Sequence, residues 1–294
     1  MGEAGFSDGH WQSADGLRLH YRDYPGRTDA LGMARPPLLC IPGLTRNARD
    51  FESVAESFAG EWRVIAAELR GRGDSDYAKD PATYNPVQYV GDIFALFEQL
   101  GLERAVLVGT SLGGIITMLL AQTAPEKIAG AVINDIGPDL EPAGMARIRE
   151  YVGQGRNYST WMHAARALKE TSGAAHPDFT IAEWLAQAKR LMTLGGNGRI
   201  TLDYDMKIAE PMLAVEPGAD LAFDLWPALR ALAGRPVLAL RGELSDLLSE
   251  ETFARMAQEL PGLEAVSVPR VGHPPTLAEP AAQAAIARLL AQIA

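Results

Sequence analysis

The 294-residue sequence holds a single cysteine, Cys40, so no internal disulfide can form. Cys40 sits in Pro-Pro-Leu-Leu-Cys-Ile-Pro-Gly, a run that reads as a buried strand, and is assigned to core filling. Long apolar runs are missing too. The longest, residues 115–121, falls far short of the ~20 residues needed to cross a bilayer, which excludes a membrane span. Cationic charge is scarce: 27 Lys and Arg face 37 Asp and Glu, a net charge of -10, which argues against a nucleic-acid partner and mainly favours solubility. The first ten residues lack a positive segment followed by an apolar stretch, so they do not read as a secretory leader, and a cytoplasmic protein is expected. No internal repeat or low-complexity tract appears. With 47% apolar and 22% charged residues, the chain has the balance of a folded enzyme-sized body.

What is present is an alternation of short apolar runs with longer amphipathic stretches, the pattern of parallel strands separated by crossover helices. Residues 10–13 and 17–24 flank an Ala-Asp-Gly turn and predict an edge hairpin. Buried strands are expected at 37–41, 63–68, 105–109, 129–134, 236–241 and 265–268. Helical patterns lie between most of them, as at 86–100, with Val90, Ile93, Phe94 and Phe97 on one face, and at 249–259. From 138 to 233 only helical periodicity is seen, broken at Gly153, Gly155, Gly173 and Gly195-Gly196. The expectation is an α/β core domain over 1–137 and 234–294, built on a mostly parallel eight-stranded sheet, with a helical cap at 138–233 inserted after the sixth strand.

The strongest local signal is Gly109-Thr110-Ser111-Leu112-Gly113-Gly114, which follows an apolar run and opens a helical one. Strand, tight turn and helix are the context of a nucleophile elbow. A serine there is held in a strained backbone, small residues two before and two after it avoid clashes, and its hydroxyl stands beside a helix N-terminus that favours negative charge. The bland alternative is a glycine-rich turn whose serine caps the helix.

With this motif the sequence resembles the α/β-hydrolase family over nearly its whole length. Leu38-Leu39-Cys40-Ile41-Pro42-Gly43-Leu44 is similar to the family's strand ending in His-Gly, with Pro42 in place of the histidine. The resemblance implies an oxyanion hole built from the backbone N–H groups of Leu44 and Leu112. Glu68-Leu69-Arg70-Gly71-Arg72-Gly73-Asp74-Ser75 is similar to a family stretch with a mostly structural role, so loop shaping is preferred to catalysis for Arg70 and Asp74.

A serine nucleophile needs a base. His10 and His20 fall in the edge hairpin and His163 and His176 in the proposed cap. His273, in Val-Gly-His-Pro-Pro after the last strand, has the expected place at the carboxyl edge of a parallel sheet. Two carboxylates compete to orient it. Asp246, after the 237–241 run, matches the family order of serine, aspartate and histidine and is favoured; Asp135, in Asn-Asp-Ile-Gly-Pro, stands where a minority of members keep their acid. Glu243 is a distant third.

The expected catalytic set is therefore Ser111, His273 and Asp246. No metal-ligand spacing and no nicotinamide or flavin fingerprint is found, so no cofactor and no metal are expected. The expected partner is a small-molecule substrate with an apolar portion, and a homo-oligomer is left open. Trp161, Trp184, Trp226, Tyr151, Tyr158 and Tyr204, with Met162, Met192 and Met212, either line its pocket or simply pack the cap helices together. The resemblance implies hydrolysis of a carboxylic ester, with lactone or enol-lactone hydrolysis and carbon–carbon cleavage of ring-cleavage products as alternatives. A cofactor-free perhydrolase and a non-catalytic ligand sensor stand further off. Epoxide hydrolases and haloalkane dehalogenases of this fold carry aspartate at the elbow, whereas this chain has Ser111.

Overall fold

Apolar runs too short to hide a helix become strands in the computed structural model, which describes residues 5–28, 35–214 and 224–293. The first four residues and part of the expected cap (215–223) lie outside the described residues. The strands of the main sheet are β1 (Ser7–Gln12), β2 (Arg18–Tyr24), β3 (Leu38–Ile41), β4 (Val64–Ala67), β5 (Ala105–Thr110), β6 (Ile128–Asn134), β10 (Val237–Gly242) and β11 (Leu263–Val268). Their order is β1-β2-β4-β3-β5-β6-β10-β11. β1 and β2 form the expected antiparallel hairpin, β2 meets β4 antiparallel, and every other pairing is parallel. Central strands covered on both faces need apolar side chains on both. β3, β5, β6 and β10 are buried along their whole length, whereas edge strand β11 alternates.

The two faces collect different helices. Leu39, Ile41 and Leu107 point into one core with α2 (Pro86–Gln99), α3 (Leu112–Thr123) and α9 (Glu250–Glu259). Leu38, Cys40, Val106 and Val108 point into the other, with α1 (Glu52–Phe58) and α10 (Pro280–Ala291). Cys40 is wholly buried there, and burial pushes its thiol pKa up, as suits inert filling.

Between β6 and β10 the chain leaves the sheet through α4 (Pro142–Tyr151), α5 (Trp161–Ser172), α6 (Ile181–Leu191), α7 (Ala209–Leu213) and α8 (Trp226–Arg230). The purely helical expectation needs correction here. β7 (Asn157–Tyr158), β8 (Met192–Leu194) and β9 (Ile200–Leu202) form a small antiparallel sheet in the order β7-β9-β8. Strands of two or three residues leave no period to read, and β8 continues directly from α6. The Gly195-Gly196 break is the turn of the β8–β9 hairpin, with Gly198 at φ 73°. This excursion has a small core of its own, formed by Ala164, Ala165, Trp184, Ala188, Leu191, Met192 and Ile200. α8 instead packs on α3, its Trp226 and Leu229 belonging to the main core.

Polar contacts tie the excursion to the sheet. The Asn47 amide and the Arg49 guanidinium both donate to the Arg190 carbonyl at 2.9 Å, and Arg49 also pairs with Asp203. The Gly272 N–H donates to the Ala175 carbonyl at 2.6 Å, anchoring the α5–α6 loop to the residue just before His273. Among the described residues no helix is long and apolar enough to cross a membrane.

Candidate active site

Ser111 stands between β5 and α3 at φ 52° and ψ -114°, a backbone that L-residues rarely adopt. Close packing enforces the bend. A Cβ on Gly113 would lie 2.0 Å from the Ile41 carbonyl oxygen, and one on Gly109 would lie 2.3 Å from the Gly113 oxygen. Any larger residue at either place would push the helix off the sheet, so the glycine spacing read in the sequence is a steric requirement.

The bend delivers the hydroxyl to the histidine. Ser111 Oγ lies 3.0 Å from His273 Nε2, and His273 Nδ1 lies 2.9 Å from Asp135 Oδ2. A carboxylate only accepts, so Nδ1 carries the imidazole proton and Nε2 offers its lone pair to the serine. Asp135 is fully buried and His273 nearly so. Three strands thus supply the three groups: Ser111 follows β5, Asp135 follows β6, and His273 follows β11, all at the carboxyl edge of the sheet.

Asp246, expected to orient His273, does not reach it. It is taken instead by Arg147 of α4 in a two-pronged pair, with 2.7 Å from Nη2 to Oδ1. Burial pushes the Asp246 pKa upward, but Arg147 outweighs it and holds the carboxyl below its usual range. Glu243 accepts from the Arg270 N–H and is likewise elsewhere. Asp135 takes the place because its φ of 56° turns the chain back at the end of β6. Its other contacts then close around the carboxylate: the Gly242 N–H donates to Oδ1 and the Ser245 hydroxyl to Oδ2, each at 2.8 Å.

Asn134 is a further residue whose role was not read from the sequence. Its side-chain amide donates to Thr110 Oγ1 at 3.1 Å and to the Pro275 carbonyl at 2.9 Å, and its own carbonyl accepts from the Ser111 N–H at 2.9 Å. The residues flanking serine and histidine are thus held by one buried side chain. A polar residue ending an otherwise apolar strand was the available signal.

The turn after β3 lies alongside. A Cβ on Gly43 would come within 3.7 Å of Ser111 Cβ, and Leu112 opens α3 on the other side of the serine. Arg72 braces this turn by donating from Nε and Nη2 to the Leu44 carbonyl at 2.9 and 2.7 Å, with Pro42 where the family has histidine. Arg70 has a structural place, paired with Asp92 at 2.7 Å, and both are completely buried.

One trio of possible metal ligands exists among the described residues, His20, Glu68 and Asp74. Two of its members are already engaged: Glu68 accepts from the Ala48 and Asp74 N–H groups and faces His20 Nδ1 at 2.9 Å, while His20 Nε2 faces Asp8. Burial lowers the His20 pKa, yet Glu68 and Asp8 outweigh it and the value ends above the ordinary one. His20 thus bridges the Glu68 and Asp8 carboxylates and braces the hairpin.

Of the aromatic and Met candidates in the excursion, Trp184, Met192 and Tyr204 are buried in packing, and Trp226 donates to Asp139 at 3.1 Å. Tyr151 is different. It keeps 41% of its surface accessible, and desolvation is the largest cause of its raised pKa. Arg147, Arg46 and Asp246 all act on its phenol electrostatically. His176, from the α5–α6 loop, also comes close: burial, then Arg46 and His273, lower its pKa to about 4, and its buried Nδ1 has no hydrogen-bond partner.

The comparisons agree with this architecture. Residues 36–280 match the model of the alpha/beta hydrolase fold, and the chain belongs to the α/β-hydrolase family; it is a hydrolase. It is 37% identical over 255 residues to the 3-hydroxybutyrate-oligomer hydrolase of Cupriavidus necator, covering 85% of this chain and 86% of that one. It is 28% identical over 239 residues to the 2-(acetamidomethylene)succinate hydrolase of Mesorhizobium japonicum, 81% of each. Among solved structures, an alpha/beta hydrolase from Novosphingobium aromaticivorans superposes with a TM-score of 0.93 at 58% identity, over 99% of this chain and 100% of that one.

Proposed function

We propose that this hydrolase cleaves carboxylic esters through an acyl-enzyme on Ser111, with His273 as base and Asp135 as the carboxylate that orients it. The observation that carries the reading is the unbroken hydrogen-bonded series from Ser111 Oγ through His273 to Asp135 Oδ2. As Ser111 Oγ bonds to the ester carbonyl carbon, its proton passes to His273 Nε2. The oxyanion is received by the N–H groups of Leu44 and Leu112. The imidazolium gives its proton to the departing alcohol, and water, activated in turn by His273, releases the acid. The 138–233 segment acts as a cap that borders the acyl or alcohol side of the site, and the substrate is a small molecule.

The Cupriavidus necator relative guides the choice of substrate. Oligomers of hydroxy acids are joined by ester bonds, so short 3-hydroxybutyrate oligomers are the first substrates to test, beside p-nitrophenyl esters of increasing acyl length. The wild type is expected to release monomer, and Ser111→Ala to lose about 10⁴-fold or more in turnover. Wild-type protein that leaves both kinds of ester intact overturns the reading.

A further inference from the structure

We propose that Ser245 is a positioning residue for the Asp135 carboxylate, and through it for the base; the proposal rests on the reading of Ser111, His273 and Asp135 given above. Asp135 Oδ2 is the oxygen that faces His273 Nδ1, at 2.9 Å, and the same oxygen takes the Ser245 hydroxyl at 2.8 Å. The direction of that hydroxyl is set from the other side. Ser245 Oγ accepts from the Leu248 N–H at 3.2 Å and more weakly from the Leu247 N–H at 3.4 Å, which leaves its proton for the carboxylate.

Oδ1 is occupied by the Gly242 N–H at 2.8 Å. The carboxylate is therefore held by two donors, the N–H of the last residue of β10 on one oxygen and a hydroxyl from the loop that follows on the other, which opposes its rotation before the imidazole. Asp135 is fully buried, so no bulk water stands ready to replace a missing hydroxyl. This loop is the one expected to supply the carboxylate itself, at Asp246. It supplies instead, one residue earlier, a hydroxyl that steadies a carboxylate from the neighbouring strand.

A structural role for Ser245, as acceptor for the amides of its own turn, predicts that its loss is felt equally whatever stands at position 135. A positioning role predicts coupling between the two. The test measures kcat and KM on a p-nitrophenyl ester, and the labelling rate of Ser111 by a fluorophosphonate, for wild type, Ser245→Ala, Ser245→Thr, Asp135→Asn and the Ser245→Ala/Asp135→Asn double variant. Ser245→Ala is expected to lower kcat and labelling about tenfold with KM unchanged, Ser245→Thr to restore most of the loss, and the alanine to cost less than about twofold in the Asp135→Asn background. Equal losses in both backgrounds, or a Ser245→Ala protein that matches wild type, overturn the proposal. A wild-type protein that neither turns over ester nor labels would instead bring down the Ser111 reading and the proposal with it.

Discussion

The loops after β6 and β10 start side by side, since the two strands are paired with Leu240 opposite Asn134, and each carries an aspartate within reach of the same edge of the sheet. Their carboxylates nevertheless live differently. Asp135 is fully buried and surrounded by donors that belong to the site: an imidazole, a hydroxyl and a backbone amide. Asp246 is about a third exposed, bound to an arginine of the excursion, and feels His273 only through space. Two acids of the same type at neighbouring strand ends thus divide the work, one facing the imidazole and one fastening α4 to the core. Sequence position alone does not say which is which.

The sharpest way to break this comparison is to neutralise each acid in turn. Asp135→Asn is expected to lower kcat about 10³- to 10⁴-fold, because the amide no longer fixes the proton on Nδ1 or stabilises the imidazolium. The same change at Asp246 should leave kcat within a few-fold of wild type, and parallel ester kinetics would show the division reversed if Asp246 were the partner of His273.

Next in size is an effect on stability. His176, 7% exposed, has a pKa lowered to about 4 from 6.5, so the folded state binds fewer protons than the unfolded one between those values. Its neutral form contributes stability that is complete above pH 6.5 and is lost as pH falls towards 4, up to ~3 kcal/mol. Urea unfolding at pH 7 and pH 4.5 should show a smaller acid loss in His176→Phe than in wild type. That variant separates protonation of the α5–α6 loop from protonation of either aspartate, and an unchanged acid loss would exclude His176 as its source.

The smallest effect expected is that of the exposed ion pair. Arg147→Gln and Asp246→Asn should each shift stability by less than ~1 kcal/mol, since water screens both partners. Thermal midpoints of the two variants check this, and a larger loss would make the Arg147 pair a principal tie of α4.

Much of this site could be read from the chain. Gly109 and Gly113 flag Ser111 because sterics permit little else there, and His273 is marked by following the last strand. The alternation of apolar runs and helices anticipated the sheet and its edge hairpin. Asp135 was legible only as a competitor, because the choice between it and Asp246 turns on Arg147, 99 residues from Asp246 and invisible to any local pattern. The same holds for Asn134 and Ser245, whose contacts join β5, β6, β10 and the loop after β11. The small sheet of the excursion was lost for a different reason: strands of two or three residues carry no periodicity.

The seam at Gly272 has a practical consequence. The space where a side chain would stand is filled by Ala175, 2.8 Å from a hypothetical Cβ, and the two residues share a main-chain hydrogen bond. Anyone exchanging the inserted segment between relatives to change substrate preference must therefore carry position 272 and the 173–178 loop across as a matched pair. A mismatched graft would arrive with the imidazole already out of line.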